Sequence, residues 1–298
     1  MQAEGERKPW YKKFRYIALI ILLVVVLVAS FFPYFYHAPV SSDQVRLNLT
    51  VDYMANSYNS TTGLIPEQPG GHVFWLYSDN YLGVLALERY DPSNSSTSGF
   101  AAALDAALHG YLVTAPSNVV QNQYTALNST NAFFDCSESY SIAWAQGEKL
   151  AGSSASTSVM TTANDLSSKC ASQNYADLYL LQAVYYHRLG NSSGASYFFN
   201  KASSDFNGVG FTDLASNSTL YQTYKVALYV YASSCLGQTS SASYASAQTV
   251  LFGLQENSTG GFYTGYTGPA HGNGSVNTET TALAALAIEQ VIKPSSSC

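Results

Sequence analysis

Apolar positions along the chain first run together without interruption and then fall into a spacing of three and four. From Ile17 to Phe32 every residue is apolar apart from one Ser, and Pro33-Tyr-Phe-Tyr36 follows. About 20 such residues match the thickness of a bilayer's hydrocarbon core, so residues 17–36 are expected to form a transmembrane signal-anchor helix. Further along, Leu178, Leu181, Gln182, Tyr185, Tyr186 and Leu189 line one helical face before Gly190 ends it. Tyr221, Tyr224, Leu228 and Tyr231 line a second face, and Leu283, Leu286 and Ala287 a third, closed by Pro294. Such spacing is the signature of helices with one buried side. It predicts helices over 43–57, 77–90, 97–112, 137–150, 157–167, 172–189, 193–206, 218–234, 241–254 and 277–292. Strand-like alternation is confined to 121–126 and 262–266. The chain reads as all-α: a basic segment 1–16, the anchor 17–36, a short linker 37–42, a helical-hairpin domain 43–292 and a tail 293–298.

The helices recur as a repeated unit. Leu82-Gly-Val-Leu-Ala-Leu-Glu88 aligns without a gap on Leu283-Ala-Ala-Leu-Ala-Ile-Glu289. A glycine-rich loop precedes each: GLIPEQPGGHVFWLYSDN before the first, GGFYTGYTGPAHGNGSVNTET before the second. Weaker copies begin at Phe206 (FNGVGFTDLAS) and Asn131 (NAFFDCSESYSIAW). Glycine turns the chain after one helix, a Phe or Leu folds back over the hairpin end, and small residues let the next helix approach closely. One hairpin cannot bury its own apolar stripe, so several must stack, as a ring or an arc.

Gln255-Glu-Asn-Ser-Thr-Gly-Gly-Phe262, followed by Thr278-Glu-Thr-Thr-Ala-Leu283, resembles the repeat of the α/α-toroid superfamilies. These include terpenoid cyclases, the β subunits of protein prenyltransferases, complement-type thioester domains and six-hairpin glycosidases. The resemblance is strongest from Leu251 to Val291. It implies an α/α-toroid-like array and assigns no branch. The acidic runs of the cyclases and the Gly-Cys-Gly-Glu-Gln thioester motif are absent, and no Asp, Cys and His follow in the order of the prenyltransferase zinc site.

Charge then sets topology and partners. Arg7, Lys8, Lys12, Lys13 and Arg15 precede the anchor, which by the positive-inside bias keeps the N-terminus cytoplasmic and sends the domain outside. The lipid bilayer is thus the first expected partner, through residues 17–36. Residues 41–298 carry 8 Lys or Arg against 17 Asp or Glu. No basic patch exists to neutralise phosphates, which excludes nucleic acid. A surface poor in charge and rich in Ser, Thr, Asn and Tyr suits an extracellular glycoprotein, or one in acid where carboxylates are neutral. Eight glycosylation sequons support the first: Asn48, Asn59, Asn94, Asn128, Asn191, Asn217, Asn257 and Asn273. Cys136, Cys170, Cys235 and Cys298 are an even set on the oxidising side, with three pairings open. Their spacing does not suit zinc, and neither His72, His109, His187 nor His271 falls in a metal motif. No metal or cofactor is expected.

Two carboxylates stand where chemistry could occur. Glycoside cleavage needs an acid and a base across the scissile bond, and aromatic rings give sugars an apolar face. Asp79, with Trp75, Tyr77 and Tyr81, could form one side of such a groove. Glu279, with Tyr263 and Tyr266, could form the other. The simpler role is that Ser78 or Asp79 caps a helix while Glu279 is a favourable first-turn charge. Asp135 and Glu138 share one face of a helix, with capping again the simpler role. The expected function is a membrane-anchored extracellular helical-repeat protein that binds or presents a glycan or an envelope protein without catalysis. The alternatives are an anchored carbohydrate-active hydrolase or lyase using Asp79 and Glu279, and a structural cell-envelope glycoprotein.

Overall fold

The computed structural model describes residues 42–70, 75–90, 95–112, 123–128, 145–149, 156–160, 175–216, 220–294 and 298. Apart from Ser42, these belong to one compact unit, Asp43–Cys298. The basic segment, the anchor and the linker up to residue 41 lie outside the described residues. So do His72, Asn94, Cys136, Asp135, Glu138, Cys170 and Asn217. Among the described residues no helix is long and apolar enough to cross a membrane.

Eight helices are described: α1 (Ser42–Ser57), α2 (Tyr77–Tyr90), α3 (Ser95–Leu112), α4 (Ala176–Arg188), α5 (Ser192–Ser204), α6 (Thr223–Cys235), α7 (Ala242–Gly253) and α8 (Thr278–Ile292). They alternate between two layers. Most residues of α2, α4, α6 and α8 are buried, in α8 nearly all of them. A helix apolar all round must be enclosed on every side, and these four form the inner layer. There α2 packs on α8, α8 on α6 and α6 on α4. Outside them α3 covers α2, α5 covers α4 and α7 covers α6. The alanines of α8 (Ala282, Ala284, Ala285 and Ala287) are wholly or almost wholly buried and let its neighbours approach closely.

Among the described residues the expected helix–loop–helix unit is present three times, and the copy expected from Asn131 lies outside them. In each, the first helix is followed by a tight bridge of antiparallel backbone: Asn59 to Leu64 after α1, Phe206 to Phe211 after α5, Gln255 to Phe262 after α7. Within each bridge a glycine takes positive φ: Gly63 at 74°, Gly208 at 92° and Gly260 at 82°. At Gly260 the requirement is doubled, because a Cβ there would lie 2.2 Å from the Leu49 carbonyl oxygen of α1. The bridge residue then seals the hairpin: Leu64, Phe211 and Phe262 are all buried.

The first and last hairpins adjoin. Arg46 of α1 donates to the Phe252 carbonyl, and Gln255 donates back to the Arg46 carbonyl. At the other end Thr278 donates its hydroxyl to the Pro66 carbonyl at 2.6 Å and its amide to that of Glu67. Cys235, closing α6, is bonded to Cys298, which selects one bridge among the four cysteines and ties the chain end to the inner layer.

Two small sheets depart from the all-helical expectation. One runs β4 (Tyr221–Gln222), β5 (Phe262–Tyr266) and β6 (Gly272–Asn277), antiparallel, with Phe262 opposite Asn277. The strand expected at 262–266 is β5, while the start of the helix expected from 218 is taken by β4. The other joins β1 (Trp75–Leu76) in parallel and β2 (Ala145–Lys149) antiparallel to β3 (Ser156–Met160). The helices expected over 137–150 and 157–167 are corrected where β2 and β3 fall. Ser-Thr-Ser-Val is rich in residues that compete with a helix backbone or prefer extended structure. The strand expected over 121–126 is instead a 3₁₀ turn, Gln123–Leu127, shaped by the tertiary bonds described next.

Candidate functional site

The inner helices present their first turns to one another. Asp79 enters from α2, Asp177 from α4, Tyr224 and Lys225 from α6, and Glu279 from α8. Asp79 is 0% exposed. Its Oδ1 accepts from Ser78 at 3.1 Å, and its Oδ2 has no hydrogen-bond partner among the described residues. Burial raises the Asp79 carboxyl well above its ordinary range, and the charges of Glu279 and Glu67 add to this. Glu279 is half-buried, and its Oε1 accepts the Tyr124 hydroxyl at 2.6 Å. Burial raises its carboxyl too; the Tyr124 bond opposes that shift while the charges of Asp177 and Glu67 add to it.

The capping roles are corrected in part. Helix α2 begins at Tyr77, so Ser78 and Asp79 lie inside its first turn rather than at its cap. Glu279 is a first-turn acid, as expected, but the α8 cap is Asn277, whose side chain accepts from the Thr280 amide. Nor is Glu279 a freely solvated charge, since Tyr124 holds it.

Among the described residues Lys225 stands beside these acids. Lys225 is 1% exposed. Its Nζ donates to both oxygens of Asp213, at 2.8 and 2.6 Å, and lies 3.9 Å from Asp177. Asp213 also accepts the Ala176 amide at the start of α4. Burial pushes Asp213 up, but the bonds and charge of Lys225 outweigh it and hold this carboxyl below its usual range. Asp177 goes the other way: burial raises it despite Lys225. The lysine is thus committed to Asp213, and among the described residues no cation is paired with Asp79 or Glu279. Among the described residues no group of three or more His, Cys, Asp or Glu is arranged to hold a metal.

The 3₁₀ turn Gln123–Leu127 runs between the inner helices and is bonded to all four. Tyr124 holds Glu279 of α8. At the other end the Leu127 carbonyl accepts from Arg89 of α2 at 2.7 Å, Arg188 of α4 at 3.3 Å and Tyr231 of α6 at 3.5 Å. Arg188 also donates to the Asn128 carbonyl. Tyr124, Ala126 and Leu127 are buried.

The other expected residues divide. Tyr77 and Tyr81 stack at 6.1 Å beside Asp79, and burial pushes Tyr81 up to about 12. Trp75 is buried, with its Nε1 unpartnered among the described residues. Tyr266 is wholly buried in the β4–β5–β6 sheet, donating to the Val209 carbonyl, and Tyr263 pairs there with Val276. These two tyrosines pack the sheet rather than join Glu279. Of the described sequon residues, Asn128, Asn191, Asn257 and Asn273 are exposed, while Asn48 and Asn59 are half-buried. Sequence reasoning missed Tyr124, Asp177, Asp213 and Lys225. The signal was a single Lys inside TYKVALYVY, an apolar helix that can enclose a charge only if it is paired.

The sign of the acid–base linkage follows. Asp79 and Glu279 are raised in the fold, so the stability they contribute is full below the unfolded carboxylate value and is lost as pH rises through the folded one. Asp213 is depressed, so its contribution is lost on acidification instead. The fold should be most stable in mild acid and weaker at neutral pH. Asp79→Asn should flatten the neutral side, gaining about 1–3 kcal/mol there and nearly nothing in acid. Denaturant titrations of both proteins from about pH 4 to pH 8 measure this, and parallel pH curves would count against it.

The chain matches no known protein-family model, no curated protein and no solved structure.

Proposed function

We propose that this is a membrane-anchored extracellular glycoprotein whose helical array closes as a toroid and binds or presents a hydroxyl-rich ligand, such as an envelope glycan, at the inner-helix starts. One observation carries the reading: four inner helices bring Asp79, Asp177, Tyr224 and Glu279 together in their first turns, at one end of the inner layer. Half-buried acceptors backed by tyrosines suit the hydroxyls and apolar faces of sugars. Closure is supported by the packing of α2 on α8 and of α1 on the end of α7. Anchoring and export rest on the apolar run Ile17–Phe32, its basic flank and the sequons.

Binding is favoured over turnover because Asp79 is fully enclosed, and a general acid must come within hydrogen-bond reach of the bond it protonates. The hydrolase or lyase alternative draws on the unpartnered Asp79 Oδ2 and on two neighbouring carboxyls whose environments differ. Full-length protein in lipid nanodiscs, applied to a glycan array, tests both. Retention of a glycan by the wild type, lost in Glu279→Gln and Tyr224→Phe, is the expected result. Cleavage of the retained glycan, seen by mass spectrometry and abolished in Asp79→Asn, would select the enzyme. Retention of none would overturn the binding role in favour of a structural one.

A further inference from the structure

A sheet edge is a row of unpaired amides and carbonyls that accepts another strand, and folded proteins blunt it by shortness, charge, proline or a bulge. Among the described residues the two small sheets have four edges: β1, β2, β4 and β6. β1 and β4 are two residues long, which is itself a protection. β2 carries Glu148 and Lys149. β6 is the longest of the four, at six residues, and its sequence GNGSVN contains neither charge nor proline.

This edge meets solvent. Gly272, Asn273, Gly274 and Ser275 are exposed, while Val276 is half-buried and Asn277 buried. Bulk does not shield it either. A Cβ at 272 would strike the Tyr263 ring and one at 274 the Thr264 hydroxyl, so both positions take glycine. The register with β5 shifts between Tyr263 and Gly265, which makes β6 bulge at Gly274 and Ser275. A bulge blunts an edge in part, and the short side chains of Asn273 and Ser275 add little to it.

Asn273-Gly274-Ser275 is also a glycosylation sequon. Such an acceptor needs its Asn and the hydroxyl two residues on at the surface, and here both residues are exposed. Other sequons spend these groups on the fold. After Asn48, Thr50 is 0% exposed and donates its hydroxyl to the Leu47 carbonyl at 2.6 Å. The Asn59 Oδ1 holds the amides of Thr61 and Thr62.

We infer that Asn273 carries an N-linked glycan that guards the β6 edge, and that without it β6 pairs with the β6 of a second copy. The transfer takes its oligosaccharide from a lipid-phosphate-activated donor of the exporting cell. The Asn273 Nδ2 forms a bond to the anomeric carbon and gives up one proton. The bond from that carbon to the phosphate oxygen breaks, and the lipid phosphate leaves with the electron pair. Oδ1 and the backbone ladder to β5 are left as they were. The attached sugar then fills the space an incoming strand needs. A second copy fits the bare edge because GNGSVN has no charge to repel itself, and two antiparallel copies about a twofold axis satisfy each other's backbone groups. The guard rests on the export proposed above. Modification of the exposed Asn191 and Asn257 reports export separately.

Full-length protein made in a host that glycosylates exported chains tests it. Glycopeptide mass spectrometry should find Asn273 modified, together with Asn191 or Asn257. Size exclusion with light scattering in detergent should find the wild type monomeric. Asn273→Gln and Ser275→Ala both lose the sequon, the second without touching the Asn, and both should dimerise with a dissociation constant lower by about tenfold or more. Asn273→Lys also loses the glycan but restores a guard as charge, and should be monomeric. Three results would overturn the guard alone: a bare Asn273 beside a modified Asn191 or Asn257, sequon-less variants as monomeric as wild type, or a dimeric Asn273→Lys. A chain with no glycan at any sequon would overturn the guard and the glycoprotein reading together.

Discussion

Lys225→Met should lower the unfolding free energy at neutral pH by about 3–5 kcal/mol, the range for breaking one side of a buried ion pair. Lys225 is 1% exposed and the Asp213 side chain 0%. Methionine fills nearly the same space, so the loss comes from charge: Asp213 is left ionised without its Lys225 partner, and Asp177 loses the cation 3.9 Å away. The effect reaches beyond the pair, because Asp213 also fixes the start of α4 through the Ala176 amide and the loop through Ser216. In acid the stranded carboxylates can take up protons, so the loss should shrink there. Lys225→Met/Asp213→Asn should recover most of the stability, since the neutral amide still offers an oxygen to Ala176. Urea unfolding followed by circular dichroism at both pH values measures all three. A single variant as stable as wild type at neutral pH would show that the pair does not hold the inner layer.

Phe262→Ala should cost about 3–5 kcal/mol, the range for emptying a fully buried aromatic position. Phe262 is 0% exposed. It sits where the last bridge, the first residue of β5 and helix α8 meet, and its amide donates to the Thr281 hydroxyl. Backbone on both sides limits collapse into the cavity, which puts the cost toward the upper part of that range. Phe211 is the matching residue of the previous unit, but it shares its site with Phe199, Phe206 and Tyr229. Those rings can shift to fill part of the space, so Phe211→Ala should fall lower. Thermal melts of the two variants decide it, and a Phe262→Ala protein that melts with wild type would remove the packing role of this loop.

The helices were legible because a buried stripe imposes its period on the sequence, and because Gly63, Gly208 and Gly260 mark the turns where only glycine fits without strain. Helix α2 and strand β5 agree with their sequence-derived bounds to the residue. What the period could not show was pairing at a distance. The backbone of β6, GNGSVN, carries no strand pattern of its own and is ordered by β5 beside it. Residues 145–149 and 156–160 face the same limit, since their extended form is fixed by one another and by β1. At the site, Asp79 and Glu279 were visible as acids at helix starts. Tyr124 was not, because nothing in QYTAL marks a segment enclosed by four helices whose members lie up to 155 residues away. Tyr263 and Tyr266 pointed toward Glu279 by nearness in sequence, but a strand's alternation and its neighbours decide which way a side chain faces.

The partnership of α2 with α8 bears on how the protein is made. Translation delivers α2 early, with Leu82, Val84, Leu85 and Leu87 ready to be covered, yet much of their cover is α8, which emerges far later. Contacts so remote along the chain slow folding, and an apolar surface left waiting is prone to aggregation. The nascent domain should therefore depend on chaperones until α8 leaves the ribosome, and truncation just before Thr278 should harm yield more than removal of any internal loop of similar length.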